Sequence, residues 1–315
     1  MTPPPNDPVT SSATPDRLES RFATPLLARW LYALESLQLR WLGYRGMRIP
    51  TAVGATLFAH VAKGRNPRGM TILVQHGIGS RGGEFRTMAR GLRRLASRVV
   101  ILDLPGHGFS EGFATAHEPH ALFEVWADAV DQALGTAPAV LIGNSLGGGM
   151  ALRYALRSPR RLSALVLLSP AGAMMEAERL REVLHQFDLQ SNEEAGAFLA
   201  KLYVHPPWVL RLGLVRRVVR QVFARPFLRE LVARLSPADL FTPDMLAPLA
   251  VPTLMLWGER DAILPAEGFD YFRAHLPPHL LTAEKVEGVG HCIQHDDPAG
   301  FVARLEAFLT SLSNR

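Results

Sequence analysis

The sequence predicts an α/β fold: a mostly parallel, doubly wound sheet carrying an inserted all-helical cap. Two observations predict it. Short apolar runs at Thr71 to Gln75, Val99 to Leu104, Ala139 to Gly143 and Leu165 to Ser169 read as strands buried on both faces. Helical stretches at Glu84 to Ala96, Ala121 to Leu134 and Leu146 to Ser158 alternate with them. From Ala173 to Pro248 the alternation stops. The pattern there is helical, broken by Pro206, Pro207, Pro226 and Pro237, until a strand signal returns at Thr253 to Trp257. A helical insertion between two strands of one sheet reads as a lid over the strand ends.

Taken in order, residues 1–24 begin Met1-Thr2-Pro3-Pro4-Pro5 and read as a disordered leader, without the basic start and apolar run of a secretory signal. Residues 25–45 read as an amphipathic helix. Leu27, Trp30, Leu31, Leu34, Leu37 and Trp41 recur at helical spacing, with Arg29 and Arg40 off that stripe. Charges at Arg29, Glu35 and Arg40 argue against a spanning helix, since each would cost about 2.5 to 3.5 kcal/mol in hydrocarbon. Two readings stay open for it: packing on its own domain, or contact with a membrane surface or partner. Residues 46–172 and 249–315 are assigned to the sheet-bearing core and residues 173–248 to the cap.

Of the 315 residues, 48% are hydrophobic and 20% charged, which is ordinary globular composition and excludes a disordered or fibrous chain. Cys292 is the only cysteine, so no intrachain disulfide forms and the reducing cytoplasm is the simpler compartment. The net charge of +5 comes without a nucleic-acid recognition motif, and no nucleic-acid partner is expected. Oligomeric state is not legible.

The chemistry sits in a few short segments. Gly143-Asn144-Ser145-Leu146-Gly147 follows a strand and precedes a helix, the setting in which Gly-x-Ser-x-Gly exposes a nucleophilic serine on a sharp turn. A serine hydroxyl needs a neutral imidazole to take its proton. Among eleven histidines, His291 is favoured because Gly288-Val289-Gly290-His291 follows the last strand-like segment, Thr282 to Val286; His295 lacks that glycine context. Asp261, in Leu256-Trp257-Gly258-Glu259-Arg260-Asp261, is the orienting acid, with Glu259 as the alternative. For the oxyanion, the backbone N–H groups of Ile78 and Leu146 are assigned, with Gly79 as the alternative to Ile78. His76 and His107 read as loop-fixing residues.

His76-Gly77-Ile78-Gly79, Asp103-Leu104-Pro105-Gly106-His107-Gly108-Phe109-Ser110, the serine pentapeptide, the Asp261 segment and Gly290-His291 occur in this order. Together they resemble the α/β-hydrolase superfamily across roughly residues 70–310. The resemblance implies an eight-stranded sheet, a helical cap, and hydrolysis with no metal or organic cofactor. Serine at the elbow disfavours the branches that use aspartate there.

Leu168-Ser169-Pro170-Ala171-Gly172, Ser191-Asn192-Glu193-Glu194 and Pro206-Pro207-Trp208 look similar to monoacylglycerol-lipase-like and bacterial lipase or esterase members. Phe187, Phe198, Leu202, Tyr203 and Trp208 are candidate substrate-binding residues, an apolar wall for an acyl chain. The expected reaction is hydrolysis of a small apolar or lipid-like carboxylic ester through an acyl-enzyme. Asn144 and Gln294 are similar to a second branch, hydrolases that cleave carbon–carbon bonds of ring-opened aromatics. That reading, acyl transfer and a noncatalytic ligand-binding role are the alternatives. Residues 201–234 hold Lys201, Arg211, Arg216, Arg217, Arg220, Arg225, Arg229 and Arg234 against Glu230 alone. Interleaved with apolar residues, they read either as a solvated face or as peripheral contact with an anionic membrane surface.

Overall fold

β3 (Thr71–Gln75), β4 (Arg98–Leu102), β5 (Ala139–Ser145), β6 (Leu162–Pro170) and β7 (Thr253–Gly258) are nearly unbroken apolar runs, and the computed structural model buries them as the middle of one sheet. It describes residues 22–206, 208 and 212–313. The leader through residue 21 therefore lies outside the described residues, as do Pro207, Val209, Leu210 and Arg211 of the expected cap. With β1 (Arg45–Pro50), β2 (Thr56–Lys63) and β8 (Leu281–Val286) the sheet has eight strands in the order β1-β2-β4-β3-β5-β6-β7-β8. β2 pairs antiparallel with both β1 and β4, and every other pairing is parallel.

Alternation along each strand divides the core. Leu73, Leu141, Leu165, Leu167 and Trp257 belong to one apolar cluster; Ile72, Val74, Val140, Ile142, Val166 and Leu256 belong to the other. The first cluster packs α3 (Pro119–Leu134) and α4 (Leu146–Arg157), and the second packs α2 (Ala89–Leu95) and the helix Pro298–Ser313. The expected helix over Glu84 to Ala96 is split: Gly82–Thr87 is a 3₁₀ turn and α2 starts only at Ala89.

Between β6 and β7 the chain forms α5 (Ala177–His185), α6 (Asn192–Leu202), α7 (Gly213–Phe223), α8 (Pro226–Arg234) and the short α9 (Pro243–Leu246). Ser191 and Glu194 form a reciprocal cap on α6: Ser191 Oγ accepts from Glu194 N at 3.1 Å and Glu194 Oε2 accepts from Ser191 N at 3.2 Å. The basic residues of this segment do not form one free row. Arg225 is buried and donates to the Gly106 carbonyl at 2.9 Å, and Arg220 donates to the Gln190 carbonyl at 3.3 Å.

α1 (Leu26–Trp41) lies against the body through Ala28, Tyr32 and Leu39. Glu35 on the same side accepts from Arg81 Nε and Nη2, both at 2.6 Å, and from Arg86 Nη1 at 3.2 Å. The helix expected over residues 25–45 ends at Trp41, with β1 beginning at Arg45, and most of its apolar stripe faces outward.

Candidate active site

Ser145 is the hinge between β5 and α4. Its backbone is held at φ 56°, ψ −123°, a left-handed setting that a residue with a side chain adopts only when its surroundings impose it. The surroundings are visible at the flanking glycines. A Cβ on Gly143 would lie 2.3 Å from the Gly147 carbonyl oxygen, and one on Gly147 would lie 2.4 Å from the His76 carbonyl oxygen. Only glycine lets the turn close so tightly against the neighbouring strand.

His291 and Asp261 arrive on the loops after β8 and β7. His291 Nδ1 and Asp261 Oδ2 are 2.7 Å apart. Asp261 Oδ1 accepts from the amides of Ile263 at 2.9 Å and Leu264 at 3.0 Å. Burial pushes the Asp261 carboxyl up, but His291 and those two amides outweigh it and hold it below the usual carboxylate range. A carboxylate at Nδ1 makes that nitrogen the donor and leaves Nε2 of the neutral ring to accept a proton. Glu259, the alternative acid, is exposed and accepts from Gly288 N at 3.4 Å instead. His295 sits against Glu84 Oε1 at 3.6 Å and beside the Tyr203 ring, and burial lowers its pKa.

The loop after β3 is fixed by histidine side chains. His76 Nδ1 donates to the Gly77 carbonyl at 2.7 Å while Nε2 accepts from Leu104 N at 3.0 Å, which requires the neutral ring. Burial agrees, pushing its pKa down to about 3, so the nearby Asp103 carboxylate makes no ion pair with it. His107 Nδ1 donates to the Pro105 carbonyl at 2.9 Å. Asp103 itself receives the amides of Gly82 and Phe109, the latter at 2.9 Å, and ties the Asp-Leu-Pro-Gly-His-Gly loop to the one bearing Ile78.

Two cavities meet at Ser145. One, of about 330 Å³, is lined by Leu146, Met150, Met175, Leu180, Val183 and Phe241. The other, of about 490 Å³, is lined by Phe198, Leu202, Tyr203, Val219, Phe223 and His291. Ile78 and Phe187 border both. Of the expected substrate-binding residues, Phe187, Phe198, Leu202 and Tyr203 thus face a cavity. Trp208 departs from the expectation: it follows the Pro206 break after α6, is 72% exposed and lines neither cavity.

A profile described as the alpha/beta hydrolase family matches residues 72–304. The chain belongs to the alpha/beta hydrolase family. It is similar to the pimeloyl-[acyl-carrier protein] methyl ester esterase of Xanthomonas axonopodis pv. citri, at 31% identity over 71% of this chain and 88% of that protein. It is also similar to a monoacylglycerol lipase of Xenopus laevis, at 24% identity over 87% of this chain and 86% of the relative. Among solved structures it resembles a bacterial membrane phospholipase A, with a TM-score of 0.78, 25% identity and coverage of 92% and 93% of the two chains. This hydrolase is thus an enzyme whose relatives include esterases and lipases.

Several of its cavity residues were not singled out from sequence. Leu180, Val183 and Leu184 line the smaller cavity and, with the expected Phe187, fall at i, i+3, i+4 and i+7, a spacing that was available in the sequence. No sequence signal brings Asn144 to the histidine loop, yet its Nδ2 donates to the carbonyls of Leu168 at 3.0 Å and His291 at 3.3 Å.

Proposed function

We propose that this hydrolase cleaves carboxylic esters of apolar or lipid-like character through Ser145, His291 and Asp261. Ser145 Oγ attacks the acyl carbon as its proton passes to His291 Nε2, and Asp261 steadies the resulting imidazolium. The N–H groups of Ile78 and Leu146 receive the oxyanion. His291 returns the proton to the departing alcohol oxygen, leaving an acyl-Ser145 that water hydrolyses by the same route.

The observation that carries this reading is the pair of cavities that meet at Ser145. His291 borders only the larger one, and a leaving oxygen must lie within its reach to be protonated. The alcohol portion therefore belongs in the larger cavity and the acyl chain in the smaller, apolar one. We assign the enzyme to the cytoplasm with peripheral contact at an anionic membrane surface; no described helix is long and apolar enough to cross a membrane.

Assay of p-nitrophenyl esters from acetate to palmitate, with a ring-opened aromatic dienoate as control, tests the reading. Ester turnover that is lost in Ser145→Ala supports it. Turnover of the dienoate alone would assign carbon–carbon hydrolysis, and an inert protein that binds esters would assign a ligand-binding role.

A further inference from the structure

α1 is seated by one face and presents another that the described residues leave exposed. Leu26, Trp30, Leu34, Leu37 and Trp41 are 75%, 71%, 56%, 42% and 80% exposed. Successive helical steps of 100° place them on one stripe, flanked on one side by exposed Arg29 and Arg40. The only acidic residue of the helix, Glu35, is turned inward onto Arg81 and Arg86. The stripe continues onto the helical segment above the site. Leu34 of α1 borders the same cavity as Leu212 and Leu214, which are 45% and 55% exposed.

We propose that this stripe and the adjoining leucines are a docking face for an anionic lipid surface, and that the larger cavity opens onto it. Tryptophans within an exposed apolar stripe suit the interface between headgroup and acyl chain. The arginine flank supplies the charge that anionic headgroups balance. A second copy fits worse, because the face offers Arg29 and Arg40 no carboxylate to meet. Sixteen residues carrying two arginines lie in the interface plane rather than span it. Resting on the ester reading, the arrangement lets a lipid ester pass from the bilayer to Ser145 without crossing water.

The test is cosedimentation with phosphatidylcholine vesicles, with and without phosphatidylglycerol, read also by brominated-lipid quenching of tryptophan emission. Trp126 and Trp257 are buried, so quenching reports the exposed indoles. The full chain should bind the anionic vesicles preferentially, less at high salt. Trp30→Gln/Trp41→Gln should weaken partitioning by about tenfold or more while leaving hydrolysis of soluble p-nitrophenyl butyrate unchanged. Leu26→Gln/Leu37→Gln is the second pair should the first fold poorly. Wild-type binding by both pairs, or no vesicle binding by the wild type, overturns the proposal. So does a wild-type dimer that the substitutions make monomeric without any vesicle binding, which assigns the stripe to a second copy. Normal vesicle behaviour without butyrate turnover would sink the ester reading and leave the docking face standing.

Discussion

Gln294 reaches across the floor of the site to Asn144: its Nε2 donates to Asn144 Oδ1 at 3.2 Å and to Glu84 Oε1 at 3.0 Å. Because Asn144 also donates to the His291 carbonyl, the residue preceding the proposed nucleophile is tied to the loop of the proposed base. Asn144→Ala or Gln294→Leu should therefore let that loop drift. We expect kcat for ester hydrolysis to fall about tenfold to a hundredfold with KM little changed. Unchanged kcat in both variants would reduce the link to packing.

Ser145→Ala should lose at least about a thousandfold in kcat, and His291→Ala about as much, because members of a catalytic unit do not contribute additively. Asp261→Asn should be comparable or milder. A fluorophosphonate probe should label the wild type and not Ser145→Ala. Glu259→Gln, whose carboxylate lies away from His291, should retain normal rates. Labelling of Ser145→Ala at the wild-type rate would place the nucleophile elsewhere.

The assignment of the two cavities predicts separable specificity. Val183→Phe narrows the smaller cavity and should lower kcat/KM for long-chain p-nitrophenyl esters far more than for the acetate. Val219→Trp narrows the larger one and should instead penalise bulky alcohols at constant acyl chain. Steady-state rates on a matrix of acids and alcohols check it. The reverse pattern would exchange the two arms.

Glu35 clamps α1 through Arg81 and Arg86, and its side chain is only 13% exposed. The two guanidiniums outweigh burial and hold its carboxyl below the usual range. Glu35→Ala removes this carboxylate, leaving Arg86 its bond to the Gly83 carbonyl at 3.3 Å and Arg81 its stacking on Tyr32, and should cost about 2 kcal/mol in urea unfolding. No loss of stability would mean that Ala28, Tyr32 and Leu39 alone hold the helix.

Acid should destabilise the fold between about pH 6.5 and 4. Burial lowers His76 to about 3 and His60 to about 4, and it lowers His107 and His295 as well. These rings stay neutral when folded but protonate near 6.5 when unfolded, so their contribution is full above that value and lost as pH falls toward the folded values. Asp103, raised by burial to about 6, has the opposite sign: its contribution is present at low pH and lost as pH rises through 6. Four histidines against one aspartate decide the direction. Calorimetry should show Tm lower at pH 5 than at pH 7, and His60→Gln should flatten that difference.

The sequence alone determined the central sheet, the elbow and the loops that carry Asp261 and His291, because each depends on local signals. Unbroken apolar runs have to be buried on both faces, and the approaches at Gly143 and Gly147 admit only glycine. β1 and β2 escaped strand-by-strand reading, since Arg45–Pro50 is an edge strand with arginines outward and carries little apolar pattern. The stripe on α1 was legible as a helix but not as to which way it faces. Periodicity marks an apolar face without saying what lies opposite it, and the Glu35 clamp, made to residues 46 and 51 positions away, turned that face outward. The Asn144–Gln294 contact likewise joins residues 150 positions apart. Trp208, exposed, also lies outside the cavity wall. Contacts of that range exist only once the chain has closed, which is why the tertiary structure decided the shape of the pocket and the surface it opens on.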